Sequence, residues 1–272
     1  EPFDELRKAQ EALRERNFMN FDTATLNSII ISEKNIQTRL QKLETGEEWQ
    51  VIESKQEENI QPYRADPAVM AKLINDLKTL RATGFAVDAP TATDLSRLGF
   101  NDPLREIKLS SSDKKETILL LAQPEDDIEK LYARKASTEY IYEVDRRATL
   151  QMLPLSALYY RNRTLDALPE AARISAIKLV DLSTGEAIFS YSLGEKEVLW
   201  PNVVAEEPEP AQAAILELIQ ATRKFTVKAY LSKSYSERYQ VDSEKSLPWA
   251  YALEAKILLP GGETLREDTR RY

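Results

Sequence analysis

Short runs in which apolar residues alternate with polar ones are interrupted along this chain by two stretches where apolar residues return every third or fourth position. The first rhythm predicts strands and the second helices. Ser28-Ile29-Ile30-Ile31, Ile36 to Leu43 and Glu48 to Ile52 are β-prone runs separated by Glu33-Lys34-Asn35 and Thr45-Gly46-Glu47, which predicts an antiparallel meander. Asp66-Pro67 then supplies an N-cap and a proline at the first helical position. Val69, Met70, Leu73, Ile74, Leu77 and Leu80 follow at helical spacing as far as Arg81. Thr93 to Leu98 predicts one helical turn ended by Gly99. Leu104 to Leu109, Glu116 to Ala122, Lys130 to Lys135 and Glu139 to Val144 are β-prone runs whose short connections favour antiparallel pairing. Ahead of all this, Phe3 to Arg16 has helical spacing among Glu, Lys and Arg. It predicts an amphipathic helix, docked on the first domain or forming a stalk to a membrane anchor.

The second half repeats the order of the first. Ile174 to Asp181, a turn at Ser183-Thr184-Gly185, Glu186 to Leu193 and Val198 to Trp200 read as another meander, and Glu209-Pro210 opens a second helix running to Arg223. After each helix comes a short β-prone piece (Phe85 to Val87; Phe225 to Leu231), a polar segment (Ser96-Arg97-Leu98; Glu237-Arg238-Tyr239) and a strand (Leu104 to Leu109; Ala250 to Leu259). The expected architecture is therefore α+β with an internal duplication: two related domains, each an antiparallel meander with one packed helix, the second copy stopping early. Residues 1–25 form an N-terminal helix and linker, residues 26–168 the first repeat and residues 169–272 the second.

Composition narrows the chemistry. Among 272 residues there is no His and no Cys, and only 7 are Gly. Imidazole and thiolate catalysis and disulfides are excluded, and so is nearly every zinc, copper or haem site, while glycine-built cofactor loops have little material. No metal, no cofactor and no catalytic residue is expected. A formal charge of −8 without a long basic block argues against nucleic acid. The absence of cysteine suits an exported protein. No apolar run is long enough to cross a membrane as a helix, and a start at Glu1-Pro2 leads to the expectation of a preceding leader or anchor.

Individual motifs read mostly as structure. Ser111-Ser112-Asp113-Lys114-Lys115 contains Ser-x-x-Lys, but it sits as a polar hairpin loop and lacks the partner motifs of a Ser-Lys nucleophile. Glu125 to Glu129 lacks the alternating ligands and pivot glycine of a calcium loop. Arg97 and Arg161 lie among apolar neighbours. Each either pairs a carboxylate or caps carbonyls to hold a loop on the sheet, or contacts an anion or ligand. Trp49 and Trp200 close the two meanders and read as core, leaving Trp249, beside Pro248, as the freer aromatic for sugar stacking or another ligand.

Several of these pieces together resemble a bacterial family, domain of unknown function 4340. They are Trp49, Pro62, the Ala65-Asp66-Pro67 helix start, Asp94-Leu95-Ser96-Arg97-Leu98-Gly99-Phe100-Asn101-Asp102-Pro103, Leu131-Tyr132-Ala133, Tyr140-Ile141-Tyr142 and Tyr160-Arg161-Asn162-Arg163-Thr164-Leu165. The resemblance covers about residues 26–168. It implies a membrane-anchored protein with an extracytoplasmic part, beside gliding-motility-type ABC transporter components as protein partners, and it implies no activity. The expected role is a non-enzymatic accessory or scaffold module. The alternative is a ligand-binding protein with a cleft between the repeats.

Overall fold

The computed structural model describes residues 14–44, 46–54, 62–194, 199–242, 244–261 and 264–272. The helix expected from Phe3 falls on residues outside these, apart from Arg14 to Arg16, which are not helical. The chain divides into two compact units, one ending at Asn162 and the other beginning at Arg163.

In the first unit, strands β1 (Leu26–Glu33), β2 (Ile36–Lys42), β3 (Trp49–Ser54) and β4 (Tyr63–Arg64) precede helix α1 (Pro67–Lys78). Strand β5 (Gly84–Val87), helix α2 (Ala92–Arg97) and strands β6 (Arg105–Ser111), β7 (Glu116–Ala122), β8 (Leu131–Lys135) and β9 (Ile141–Val144) follow. Two short helices, α3 (Arg146–Met152) and α4 (Ala157–Tyr160), close the unit. The strands form one nine-stranded sheet in the order β4-β3-β2-β1-β6-β7-β8-β9-β5, antiparallel in every pairing.

Local chemistry fixes these elements. The Asp66 carboxylate accepts from the N–H groups of Ala68 at 3.0 Å and Val69 at 3.2 Å, so the first turn of α1 starts with two of its free donors satisfied. Met70, Leu73 and Leu77 then fall on one face and enter a core with Ile29, Ile31, Leu40, Ile107, Leu109, Leu119 and Leu121 from the sheet. Each such side chain contributes about 1.5–3 kcal/mol when fully buried. A separate cluster, Leu98, Phe100, Ala122, Tyr132 and Ile141, lies under the α2 segment. There Thr91 and Asp94 form a reciprocal capping box, and Gly99 takes a φ of +83° beside the Gln123 carbonyl.

The second unit begins with β10 (Thr164–Ala167), β11 (Arg173–Asp181) and β12 (Ala187–Ser192). Helices α5 (Trp200–Val203) and α6 (Glu209–Arg223) precede β13 (Lys224–Thr226), β14 (Arg238–Gln240), β15 (Ser246–Pro248), β16 (Tyr251–Gly261) and β17 (Thr264–Arg271). The main sheet has the order β12-β11-β16-β17, and β10 with β13 and β14 with β15 form separate antiparallel pairs. Ile215 and Ile219 of α6 pack on Ile174, Ile177 and Leu253 of the sheet. At the other end of α6, the Arg223 guanidinium donates to the carbonyls of Ala172 (2.9 Å), Glu170 (3.0 Å) and Pro169 (3.3 Å), tying the helix C-terminus to the turn before β11.

The two units share features of order. The run β2-β1-β6-β7 in the first matches β12-β11-β16-β17 in the second, and α1 and α6 each lie in sequence between the hairpin and the returning strand. In both, the stretch before the first long strand runs antiparallel to the stretch after the helix: Asn17 bridges Arg81, and β10 pairs with β13.

Several expectations are corrected. Trp200 opens a helical turn instead of closing a strand, because Pro201 suits the start of a helix and supplies no N–H to a ladder. The strand after α6 ends at Thr226. The strand expected to end at Leu259 runs on to Gly261 and turns back as β17, a strand not expected from the sequence because its run of charges hides its alternation. The first sheet carries α3 and α4 besides the one packed helix expected, and these are too short to show helical periodicity.

Candidate functional site

The three side chains singled out by sequence occupy separate places. Arg97 ends α2 with its side chain 59% exposed and pairs at 3.3 Å with Asp94, one turn earlier in the same helix. It finds a carboxylate but does not clamp a loop to the sheet. Arg161 follows α4 half-buried, with its guanidinium 4.4 Å from the centre of the Tyr63 ring. Its backbone sits in a small antiparallel patch, where Asp66 N–H donates to Tyr160 C=O and Asn162 N–H to Arg64 C=O, both at 2.8 Å. That patch, together with the ring contact, gives Arg161 a place in docking β4 to the end of the unit. Trp249 lies in the second unit.

The buried arginine of the first unit is instead Arg105, 8% exposed. Its Nε donates to Glu33 Oε2 at 2.9 Å, its Nη2 bonds the same carboxylate, and its Nη1 donates to Leu153 C=O at 2.5 Å. Two neighbouring carbonyls are held in the same manner. Tyr160 Oη donates to Pro154 C=O at 2.8 Å and Thr38 Oγ1 to Leu155 C=O at 2.6 Å. Three consecutive carbonyls of a proline-containing link are thereby satisfied by side chains from β6, α4 and β2. Burial pushes the Tyr160 phenol well above its ordinary range. A sequence signal for Arg105 exists: it is in phase with Ile107 and Leu109 on β6, whose alternate residues are buried.

Trp249 belongs to the excursion between β13 and β16, built from tyrosine, serine and charged residues. Its folded part is the β14–β15 hairpin. The Asp242 carboxylate accepts from Glu244 N–H (2.9 Å) and Lys245 N–H (2.8 Å) to form the turn. Arg238 crosses the pair to donate to Ser246 Oγ (3.1 Å) and Ser246 C=O (2.6 Å). The Trp249 indole donates to Ser236 C=O at 2.7 Å and lies 4.7 Å from the Tyr239 ring at 41°. With its N–H engaged, the indole has a set orientation and offers ring surface. In the same excursion Tyr235 is 79% exposed and Leu231 and Val241 are exposed, as is Tyr251 at the start of β16. The tilt of the two rings gives no flat sugar platform.

Among the open clefts of the first unit, two stand out by their linings. One, of about 560 Å³, runs between α1 and α3 past Lys72, Asp76, Asp145, Thr149 and Tyr159. The other, of about 550 Å³, is walled by Phe18, Phe85, Tyr140 and Tyr142 with Lys78 and Lys135 at its border. In it the Arg14 guanidinium sits 3.7 Å from the Phe85 ring centre and pairs with Asp88 at 2.5 Å. Ser111 to Lys115 forms the β6–β7 hairpin loop, in which Asp113 pairs with Lys115 at 2.8 Å, and Asp127 pairs with Lys130 at 3.2 Å. Among the described residues no group of three or more carboxylates is placed to hold a metal ion, and no helix is long and apolar enough to cross a membrane.

No curated protein and no solved structure matches this chain. A family model does match, over residues 61–244. The matched stretch begins later than the resemblance at 26–168 and reaches past α6 into the tyrosine-rich excursion, so it coincides with neither compact unit. With more than half of its residues covered by that model, the chain belongs to the family described as Domain of unknown function (DUF4340).

Proposed function

We propose that this chain is a non-catalytic extracytoplasmic module, an accessory or scaffold part of a membrane-associated transport or surface-assembly complex, tethered by an anchor beyond these 272 residues. The observation that carries this reading is the excursion between β13 and β16, on which Leu231, Tyr235 and Val241 are exposed while the half-buried Tyr239 and Trp249 pack on each other. Aromatic side chains offer large contact area with few torsions to freeze, serines offer adaptable hydrogen bonds, and contiguous exposed apolar surface marks interaction sites. In support, the buried polar side chains Arg105, Tyr160 and Thr38 direct their hydrogen bonds at the fold itself. The test is co-purification of the full-length protein with its membrane complex. The combined Leu231→Ser and Tyr235→Ser variant, at two exposed positions, should lose the partner subunits while keeping the wild-type unfolding midpoint. Undiminished retrieval of those subunits refutes this reading.

A second reading, a ligand-binding protein, is favoured by the aromatic cleft of the first unit, in which Arg14 already covers Phe85. A ligand there would compete with Arg14 for the ring faces. Saturable binding that disappears in Phe85→Ala would favour it over the scaffold.

We also infer that the two units descend from an internal duplication. What supports this is the shared strand order, the matching position of each long helix and the bridge from the stretch before the first strand to the stretch after that helix. Its test is comparison of the halves in divergent family members, where the α1 and α6 segments should align in the same frame as the flanking hairpins.

A further inference from the structure

The described sheets end in four principal edge strands, β4, β5, β12 and β17. An unpaired edge invites another strand, and proteins blunt edges by shortness, charge or irregularity. Three of the four are blunted. Strand β4 has two residues, with Arg64 paired to Glu48. Strand β5 has four residues and a register shift against β9. Strand β17 carries Arg266, Glu267, Asp268, Arg270 and Arg271. Strand β12, Ala-Ile-Phe-Ser-Tyr-Ser, has six residues and no charge. Its one irregularity lies at the Ala187 end, leaving Phe189 to Ser192 in regular register with β11.

We propose that β12 is a self-association edge: two copies of the chain pair antiparallel through β12, centred on Ser190, and join their main sheets into one. The ladder phase supports this register. Leu193 N–H donates to Ser175 C=O at 2.8 Å, so residues 189, 191 and 193 point their backbone groups at β11, while Ser190 and Ser192 point theirs outward. Ser190 of each copy then exchanges both backbone hydrogen bonds with Ser190 of the other. Phe189 and Tyr191 stack at 5.8 Å on the core side, half-buried, with Tyr191 Oη donating to Glu207 Oε1 at 2.5 Å. In this register Phe189 of one copy stands opposite Tyr191 of the other, twice, extending the aromatic row of each core across the joint. On the solvent side the exposed Ile188 meets Ser192. No charges oppose one another, which is what makes a second copy the fitting occupant.

Sedimentation velocity on the 272-residue chain over a wide concentration range tests this. The wild type should approach twice the 31.0 kDa mass of one chain as concentration rises. Ser190→Pro removes the outward N–H at a position where an edge strand tolerates proline, and should remain monomeric with an unchanged unfolding midpoint. Ser190→Lys places like charges on the two-fold axis and should also be monomeric, with dimer partly restored by salt; it decides the matter if the proline variant does not fold. A wild type that stays monomeric, or a dimer that persists in the folded Ser190 variants, overturns the proposal.

Discussion

Arg105 Nη1 donates to the carbonyl of Leu153, 48 residues downstream, at 2.5 Å, and the rest of the same guanidinium is clasped by Glu33. One side chain thus joins β6, the end of β1 and the link between α3 and α4. The link has a proline and offers three successive carbonyls to the interior, so without these donors its burial would be costly.

Arg105→Met should therefore lose about 2–4 kcal/mol of stability, because it leaves a largely covered Glu33 and the Leu153 carbonyl without their donor. Urea unfolding of the variant beside wild type checks this, and an unchanged midpoint contradicts it.

Tyr160→Phe keeps the ring packing and deletes only the donor to Pro154, with an expected loss of about 1–2 kcal/mol. Burial raises the folded-state phenol, so the stability it contributes is complete below the unfolded tyrosine value of about 10 and falls as pH rises beyond it. The phenylalanine variant should lose that part of the alkaline decline. An identical decline in both proteins would exclude Tyr160 as its source.

Gly99→Ala should be among the most damaging single-methyl changes. A Cβ there would lie 2.4 Å from the Gln123 carbonyl oxygen, on backbone with a φ of +83°. The expected loss is about 2 kcal/mol or more, since strain and overlap act together and the obstacle is backbone. A midpoint within error of wild type would mean that the α2 segment shifts freely.

In the second unit, Asp166 accepts from both Arg270 and Tyr272. Burial by itself would raise its carboxyl, but the hydrogen bonds from Arg270 and Tyr272 outweigh that and hold it below the ordinary value. Its contribution is present above the unfolded pKa of about 3.9 and disappears as pH falls through the lowered folded value. Burial first, and the adjacent carboxylate second, push the Tyr272 phenol up to about 12, so its contribution is lost as pH climbs from about 10 towards that value. Asp166→Asn should flatten the acid limb of the stability profile and Tyr272→Phe the alkaline limb. Unchanged limbs would show that the pair is not linked to folding.

The sequence was most legible where one rhythm persists. The α1 face, the β1–β2 hairpin and β6 to β8 follow from spacing because each buries one side of a regular element. It was least legible where long-range pairing decides. β17 gains strand structure from β16 despite a run of charges, and α3 and α4 are held by side chains far away in sequence. Arg97 and Arg161 stood out because their neighbours are apolar, but neighbours along a helix or turn face several directions. Arg105, on a strand, shares its direction with Ile107 and Leu109, and that phase was the better guide. Trp249 was singled out as a freer aromatic, yet it is half-buried like Trp49 and Trp200, and its pairing with Tyr239 needed the hairpin register.

The most direct test of the interaction-module account is site-specific photocrosslinking in native membranes. A benzophenone side chain in place of Tyr235, 79% exposed on the tyrosine-rich excursion, is compared with one in place of Ile128, 60% exposed in the first unit. The account expects a discrete adduct with another membrane-complex subunit from position 235 and none from position 128. Equal adducts from both positions, or none from 235 in a correctly localised protein, would contradict it.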